Sequence, residues 1–426
     1  MNIIQNIKKI RKGSVLAGAK RRIEKQRGTG YWLNLGIKFG PSLRLNGNQN
    51  EKLKSLLVLC GVSTRKENRL NLEILIANLL IKREKRPVRV SLNTLSWKIT
   101  RYNKAGETTI KIINNLNEHG YIKLKKGYRF PGKESRLTRI WPKDKLLDCF
   151  LKYPGDVIYE PVEVVLLRGN DKNLKKYKDT ARTRKTREIL TLVNKVNLSA
   201  IIKHQEYRLN PVLIAIFTRK FTLNGRLYTR GSEHYQGLGP DEREEITING
   251  DSVVELDYSG LHPHLLYAKE GIQLKKDPYS IVDKRPEART FLKQILLCMI
   301  NNEDELSAER AANNWLYENH RQREKLKEIG ITRARPFIEA FRKEHKPIEH
   351  HFCNGSETGL KIMNLDSSIA LDIVHHFAKK NIPILAIHDS FIVQEKYKEE
   401  LRQVMEGTYE KHTYEKHTDG YKCKIK

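Results

Sequence analysis

The chain alternates between stretches whose apolar residues recur at helical spacing and short apolar runs of strand length. From about Leu56 to Pro142 the helical kind comes first. NLEILIANLLIKREK predicts a long helix, SLNTLSWKIT a short one with Ser91 as N-cap, and GETTIKIINNLNEHG a third in which Ile110, Ile113 and Leu116 share one face. Gly120 ends that third helix, and Tyr121 to Lys125 and Leu137 to Trp141 alternate as the two strands of a hairpin do. Beyond a proline-bounded linker near Pro154 and Pro161, residues 143–222 read as mostly helical.

Three helices followed by a two-stranded hairpin resemble a winged helix-turn-helix. In that arrangement the third helix enters a major groove, and the wing turn, which carries Lys125, Lys126, Arg129 and Lys133, meets backbone phosphate. Winged helices also serve as protein-binding modules, so this pattern alone does not decide the partner.

Three segments in the last 220 residues are hard to explain by packing. In VVELDYSGLHPHLLYA, Val253 to Leu256 predicts a buried strand, and Asp257 falls where the strand gives way to a helix beginning near Gly260. In ILAIHDSFIV, two apolar strand segments flank His388, Asp389 and Ser390, polar residues that are costly to bury without partners. If this hairpin lies beside the first strand, Asp257 and Asp389 converge, and two facing carboxylates repel unless a metal ion or a proton sits between them. In ARTFLKQILLCMINN, Arg289, Lys293 and Leu297 lie one turn apart on one helix face, a spacing that suits a triphosphate lying along the helix.

Composition narrows the partners. With 80 Lys and Arg against 50 Asp and Glu, the formal charge of +30 suits a polyanion whose condensed counterions the basic side chains displace. Residues 1–50 hold 11 Lys or Arg and a single acid, Glu24, and read as a basic arm; a second basic run extends from Lys172 through Lys185 to Arg187. Length predicts two or three domains, and no apolar run approaches the roughly 20 residues of a membrane span. The N-terminus lacks the apolar core and small-residue cleavage site of a secretory signal. Cys60, Cys149, Cys298, Cys353 and Cys423 are odd in number and widely spaced, as suits a reducing cytosol. His350, His351 and Cys353 lack further ligands at metal-site spacing and read as scattered surface residues.

Taken in order, Asn224-Gly225-Arg226-Leu227, Gln236, Asp257-Tyr258-Ser259, Arg289-x3-Lys293 and His388-Asp389 resemble the palm and fingers of family A polymerases, which include polymerase I-type DNA polymerases and single-subunit phage-type RNA polymerases. The resemblance covers Arg219 to Met405. It implies that Asp257 and Asp389 bind two Mg²⁺ ions, with Mn²⁺ as a substitute, and that the Tyr258 carbonyl completes one coordination shell. By the same resemblance Arg289 and Lys293 hold the phosphates of a nucleoside triphosphate, with Leu297 and His262 beside the nucleotide. Arg226 touches the DNA template-primer backbone, Gln236 and His388 sit near the primer terminus, and the helix carrying Asp366 to Ser368 faces the minor groove.

Departures bear on the substrate. His262 stands where the DNA polymerases of the family have a glutamate that excludes the ribose 2′-hydroxyl, and Leu297 and Asn301 replace the aromatic and the tyrosine at the nucleotide. His-Asp-Ser in place of His-Asp-Glu is similar to the phage-type RNA polymerases, whereas the short distance from Gly225-Arg226 to Asp257 is similar to the DNA polymerases.

The expected protein is therefore α+β: a polymerase-type palm with an antiparallel sheet and helical fingers and thumb, preceded by a winged helix. Its expected parts are a basic arm over 1–50, the winged helix over 51–145, a helical thumb-like or linker region over 146–222, and palm and fingers over 223–426. The expected activity is that of a compact cytoplasmic DNA-directed DNA polymerase without a membrane partner, of the kind phages, plasmids and other mobile elements carry. A DNA-directed RNA polymerase or primase is the alternative that His262 and Ser390 favour. A non-catalytic DNA-binding replication initiator or regulator is the alternative in which the palm is vestigial.

Overall fold

The computed structural model describes residues 37–38, 43–45, 48–80, 87–97, 105–128, 137–150, 157–160, 163–205, 207–229, 234–355, 357–413 and 421–426. Most of the basic arm expected over 1–50, the wing-turn residues Arg129 and Lys133, and Pro154 and Pro161 lie outside the described residues. The chain divides into two units, Met1–Glu163 and Val164–Lys426.

In the first unit the helical periodicity becomes α1 (Asn50–Leu59), α2 (Lys66–Leu80) and α3 (Thr108–Glu118), followed by the short α4 (Asp144–Phe150). Nearly every position from Asn71 to Leu80 is buried, so α2 is the axis around which the unit's core forms. The buried Asn71 amide accepts the Gly106 N–H at 2.9 Å and ties the start of α3 to that axis. Gly120 closes α3 in a left-handed conformation (φ +73°), letting the Tyr121 N–H reach back to the Leu116 carbonyl at 2.8 Å.

The chain then returns as an antiparallel hairpin, β4 (Ile122–Lys125) and β5 (Thr138–Pro142). These strands extend a sheet of order β1-β3-β5-β4, in which β1 (Ile37–Lys38) runs parallel to β3 (Val88–Val90). A separate antiparallel pair joins β2 (Leu43–Leu45) to β6 (Val157–Tyr159).

One local expectation fails here. Ser91 does not cap an α-helix: the β-branched Val-Arg-Val before it pairs with β5, Val88 opposite Ile140, and the Ser91 hydroxyl accepts the Asn93 N–H at 3.2 Å. Among the described residues a 3₁₀ turn, Thr94–Trp97, follows, and the Trp97 indole donates back to the Ser91 carbonyl at 2.7 Å.

The second unit holds two sheets. One is a three-stranded mixed sheet, order β11-β10-β7, from β7 (Val165–Arg168), β10 (Leu213–Thr218) and β11 (Lys220–Thr229), with β7 and β10 parallel. The other is antiparallel throughout, order β14-β15-β13-β12-β8-β9. It comprises β8 (Ile202–His204), β9 (Tyr207–Arg208), β12 (Ile246–Ile248), β13 (Asp251–Asp257), β14 (Leu385–Ile387) and β15 (Ser390–Gln394).

Residues 143–222 are thus less helical than their charge pattern predicts. Apart from α4 they contribute one described α-helix, α5 (Ala181–Ser199), because Val-Leu-Leu and Leu-Ile-Ala-Ile-Phe are apolar enough to be strands buried on both faces.

Helix α5 ties the two sheets together. It starts at Thr180, whose side chain caps the Thr183 N–H, and it buries two asparagines three residues apart on one face. The Asn194 amide both donates to and accepts from the backbone of Leu213 (2.9 and 2.7 Å), at the head of β10. Asn197 does the same with Ile384 (2.8 and 3.0 Å), just ahead of β14. Each side chain stands in for a strand's peptide edge, so no backbone group is orphaned where a helix meets a sheet end.

The remaining helices are α6 (Pro240–Glu244), α7 (Leu261–Lys269), α8 (Arg289–Asn301), α9 (Glu305–Glu318), α10 (His320–Glu328), α11 (Arg335–Glu344), α12 (Thr358–Lys379) and α13 (Lys398–Thr413). The protein is therefore an α+β molecule with a largely antiparallel sheet and many helices. Among the described residues no helix is long and apolar enough to cross a membrane.

Asn197→Ala removes both partners from two buried peptide groups, and equilibrium urea denaturation should show a loss of about 2–4 kcal/mol. Asn197→Asp, which sets a buried carboxylate oxygen against the Ile384 carbonyl, is expected to cost at least as much at neutral pH.

Candidate active site

The site forms where β13 ends. Antiparallel pairing sets Asp257 opposite Ser390, so Asp389 lies one residue away on the neighbouring strand end, and the Tyr258 N–H donates to the Asp389 carbonyl at 3.3 Å. Asp389 sits in the two-residue turn between β14 and β15, after His388, whose φ of +60° is left-handed. Glycine usually fills the first position of such a turn, so the backbone at His388 is held strained at about 1–3 kcal/mol. Strand β13 is half-buried rather than fully buried: Leu256 faces the core, while Val253, Glu255 and Asp257 share the other face.

The Asp257 carboxylate takes no hydrogen bond or ion pair among the described residues. Burial first, then the Asp389 charge, push it up to about 7, against a smaller opposing pull from Lys293. Asp389 is also raised, by burial and then by Asp366. The other acid on this face differs: Glu255 accepts two hydrogen bonds from Arg243 (2.7 and 3.0 Å) and one from the Ser390 hydroxyl.

Two arginines predicted to meet nucleic acid or phosphate are engaged within the chain. An Asn224-Gly225 bulge, both residues at positive φ, turns β11 toward α12. A Cβ on Gly225 would lie 2.7 Å from the Phe217 ring and 2.8 Å from the Ser367 hydroxyl, so glycine is required there twice over. Arg226 emerges from this bulge onto the fully buried Asp366, with its Nε at 2.9 Å and a terminal nitrogen at 2.8 Å.

His262, on the first turn of α7, completes the group, its Nε2 at 3.0 Å from Arg226 and 3.4 Å from Asp366. Burial alone would raise the Asp366 carboxyl, yet His262 and Arg226 hold it below its ordinary value. Arg289 likewise forks onto both oxygens of Asp277, each at 2.6 Å, and its guanidinium lies over the Tyr279 ring.

Lys293 is different. It is exposed one turn along α8, makes no ion pair among the described residues, and acts on Asp257 through space. Leu297 follows, also exposed, and the Asn301 amide donates to the Leu297 carbonyl.

Gln236 serves the fold. Its amide donates to the Leu227 and Ala386 carbonyls and accepts the Thr229 N–H, holding β11 against β14. His388 keeps its Nδ1 buried with no hydrogen-bond partner among the described residues, its ring edge-on to Tyr228, and burial lowers its pKa. Tyr258 is buried, its hydroxyl on the Met405 carbonyl. In the first unit, Lys125 and Lys126 are exposed at the end of β4.

Sequence reasoning missed Asp277, the Arg226 partnership of Asp366, and the segment 421–426. That segment runs antiparallel beside the site: Asp257 and Lys426 exchange backbone hydrogen bonds (3.2 and 2.9 Å), and the Ser259 N–H donates to the Lys424 carbonyl at 2.7 Å. Only the polar residues at 257–259 hinted that the strand had a further neighbour.

The donor set fits hard divalent cations. Two converging carboxylates, both raised and without protein donors beyond the Asp389 backbone, gain most from an ion that takes oxygen ligands.

Compared with solved structures, the chain is similar to the POL domain of Pol1 from M. smegmatis in complex with DNA primer-template and dNTP, at 13% identity and a TM-score of 0.27. The similarity covers 57% of this chain and 51% of that one, so the chain spans about half the length of that structure. No family model matches the chain, and no curated protein matches it. At that TM-score the likeness adds nothing to the site's own geometry.

Asp257 has a folded pKa above its unfolded value of 3.8, so the stability linked to it is full below about pH 4 and is lost as pH rises through about 7. In metal-free buffer at pH 8, Asp257→Asn should therefore be more stable than the unaltered chain by roughly 1–2 kcal/mol, less than full conversion of the shift because solvent screens a half-buried group. The gap should close below pH 4, and Mg²⁺ added at pH 8 should raise the melting temperature of the unaltered chain alone.

Proposed function

We propose that the chain is a template-directed nucleotidyltransferase, a compact DNA-directed DNA polymerase of family A type that uses two Mg²⁺ ions. The observation that carries this reading is the convergence of Asp257 and Asp389 at neighbouring strand ends, both still raised despite nearby cations, with Lys293 pulling on Asp257 through space. Asp257, Asp389 and the Tyr258 carbonyl would hold the ions. Bound there, two divalent ions supply a more acidic primer 3′-hydroxyl and charge neutralisation on the departing pyrophosphate.

In this reading Lys293 attracts the triphosphate, while Arg289 offers a guanidinium already oriented by Asp277 and Tyr279. Leu297 and His262 would border the nucleotide. The buried Nδ1 of His388, without a partner among the described residues, suits a polar group brought by the substrate, and Arg226 would face the template-primer. Gln236 then acts by positioning β11 against the hairpin that carries Asp389.

The first unit we read as a winged helix over 51–145, with α3 for a DNA groove and Lys125 and Lys126 for phosphate. The basic arm over 1–50, a thumb-like region over 146–222, and palm and fingers over 223–426 complete the proposed organisation.

One observation favours ribonucleotides instead. His262 is held by Asp366 and Arg226, and by the sequence resemblance it stands where a sugar-excluding glutamate would otherwise be. The alternative is an RNA polymerase or primase.

Extension of a primed DNA template decides among these readings. Incorporation is expected from dNTPs with Mg²⁺ or Mn²⁺; incorporation from NTPs alone moves the assignment to the second reading. Asp257→Ala and Asp389→Ala should each lower the rate at least about 10³-fold, the several kcal/mol that a metal contributes. Lys293→Ala should act chiefly on the nucleotide KM, raising it about tenfold. No extension from either pool, with DNA binding intact, would leave a non-catalytic replication initiator or regulator.

A further inference from the structure

On the far end of α7 from the catalytic strand, three metal-ligating side chains converge. Glu270 caps α7, and the 3₁₀ turn Lys346–His351 packs against it. One carboxylate oxygen of Glu270 lies 2.8 Å from His351 Nε2 and 3.3 Å from His350 Nε2. The two imidazoles stand with centroids 4.1 Å apart, and one donor atom from each of the three residues falls within 4.8 Å of the others.

We propose that Glu270, His350 and His351 form a binding site for a single transition-metal ion of the zinc class, separate from the Asp257–Asp389 pair and independent of the function proposed above. Two consecutive histidines normally diverge. Here the 3₁₀ turn aims both Nε2 atoms at one carboxylate oxygen, which is more than a single ion pair needs. Bonds of about 2.0–2.1 Å in a tetrahedral shell set neighbouring donors about 3.3 Å apart, close to the separations found.

Two nitrogens and one oxygen select zinc, cobalt, nickel or copper over magnesium and calcium, which prefer oxygen throughout. His351 is 14% exposed, Glu270 28% and His350 58%, so the cluster opens to solvent on the His350 side and leaves room for water. Nearby acids are otherwise engaged: Glu349 is paired with Arg342 and Lys346.

From sequence spacing His350, His351 and Cys353 read as scattered surface residues, because no further ligands could be placed. The fold supplies Glu270, 80 positions upstream of His350, and turns the Cys353 thiol away toward Glu305 and Arg342. An ion held here would join the end of α7, the helix that carries His262, to the turn following α11.

The test is a zinc titration of the full chain after chelator treatment, with millimolar Mg²⁺ present to occupy all-oxygen sites. One Zn²⁺ per chain is expected at micromolar free metal, with a melting temperature a few degrees higher. His350 is more exposed than buried, so His350→Ala leaves the core intact. It and Glu270→Gln should each weaken zinc binding by at least about 10–100-fold, the loss seen when only a ligand's supporting partner is removed.

Circular dichroism of both variants checks that they remain folded. Absence of stoichiometric zinc binding overturns the proposal. So does binding that survives both substitutions but is lost in Asp257→Asn, which would assign the zinc to the carboxylate pair.

Discussion

Electrostatic repulsion between two carboxylates at adjacent strand ends is the constraint around which the second unit is arranged. Asp257 and Asp389 could each have been silenced, as Glu255 is, by an arginine and a hydroxyl. They are left without such partners, in surroundings that already disfavour charge, and Asp366 pushes Asp389 further in the same direction. A fold tolerates that arrangement only if its framework is firm enough to hold the groups together. Here the framework is the five-residue register between β13 and β15, backed by Phe391, Ile392 and Val393, all fully buried, and by the Asn197 clamp on Ile384.

The distribution of cations follows the same logic. Arg226 and Arg289 are locked onto Asp366 and Asp277, whereas Lys293 makes no ion pair among the described residues and pulls on Asp257 through space. Guanidinium groups keep donors to spare after a carboxylate has taken two, so both arginines are fixed in direction without being exhausted. A lysine held in the same way would keep a single donor. The pairing therefore sets the orientation of the cationic groups before any ligand arrives, and less rotamer entropy has to be lost on binding.

What was legible in the sequence is what depends on local pattern. The interruption of ILAIHDSFIV by three polar residues marks the hairpin turn, and Asp257 stands out because it follows an apolar run and precedes a glycine that starts a helix at φ +74°. Asn224-Gly225 is legible as a turn signal, although its role here is a bulge inside a strand. Long-range pairings were not legible. Arg226 meets Asp366 across 140 positions and Arg289 meets Asp277 across 12, and no periodicity announces either. The over-reading of helix in 143–222 has a related cause: strands buried on both faces carry no alternation, so their apolar runs look like helix segments until a partner strand is known.

Helix α7 shows how these features are coupled. Its first turn follows directly on β13 and carries His262 into the Arg226–Asp366 group, while its last residue abuts Glu270, which meets the two histidines. In between, the Tyr267 hydroxyl donates to Nδ1 of His345 (3.0 Å), whose Nε2–H donates to the Pro278 carbonyl (2.8 Å), next to the Asp277 that holds Arg289. The helix is buried along nearly its whole length, so it cannot tilt at one end without disturbing the other. Its position therefore fixes, through one rigid element, both the ring of His262 beside the carboxylates and the anchor of the arginine on α8.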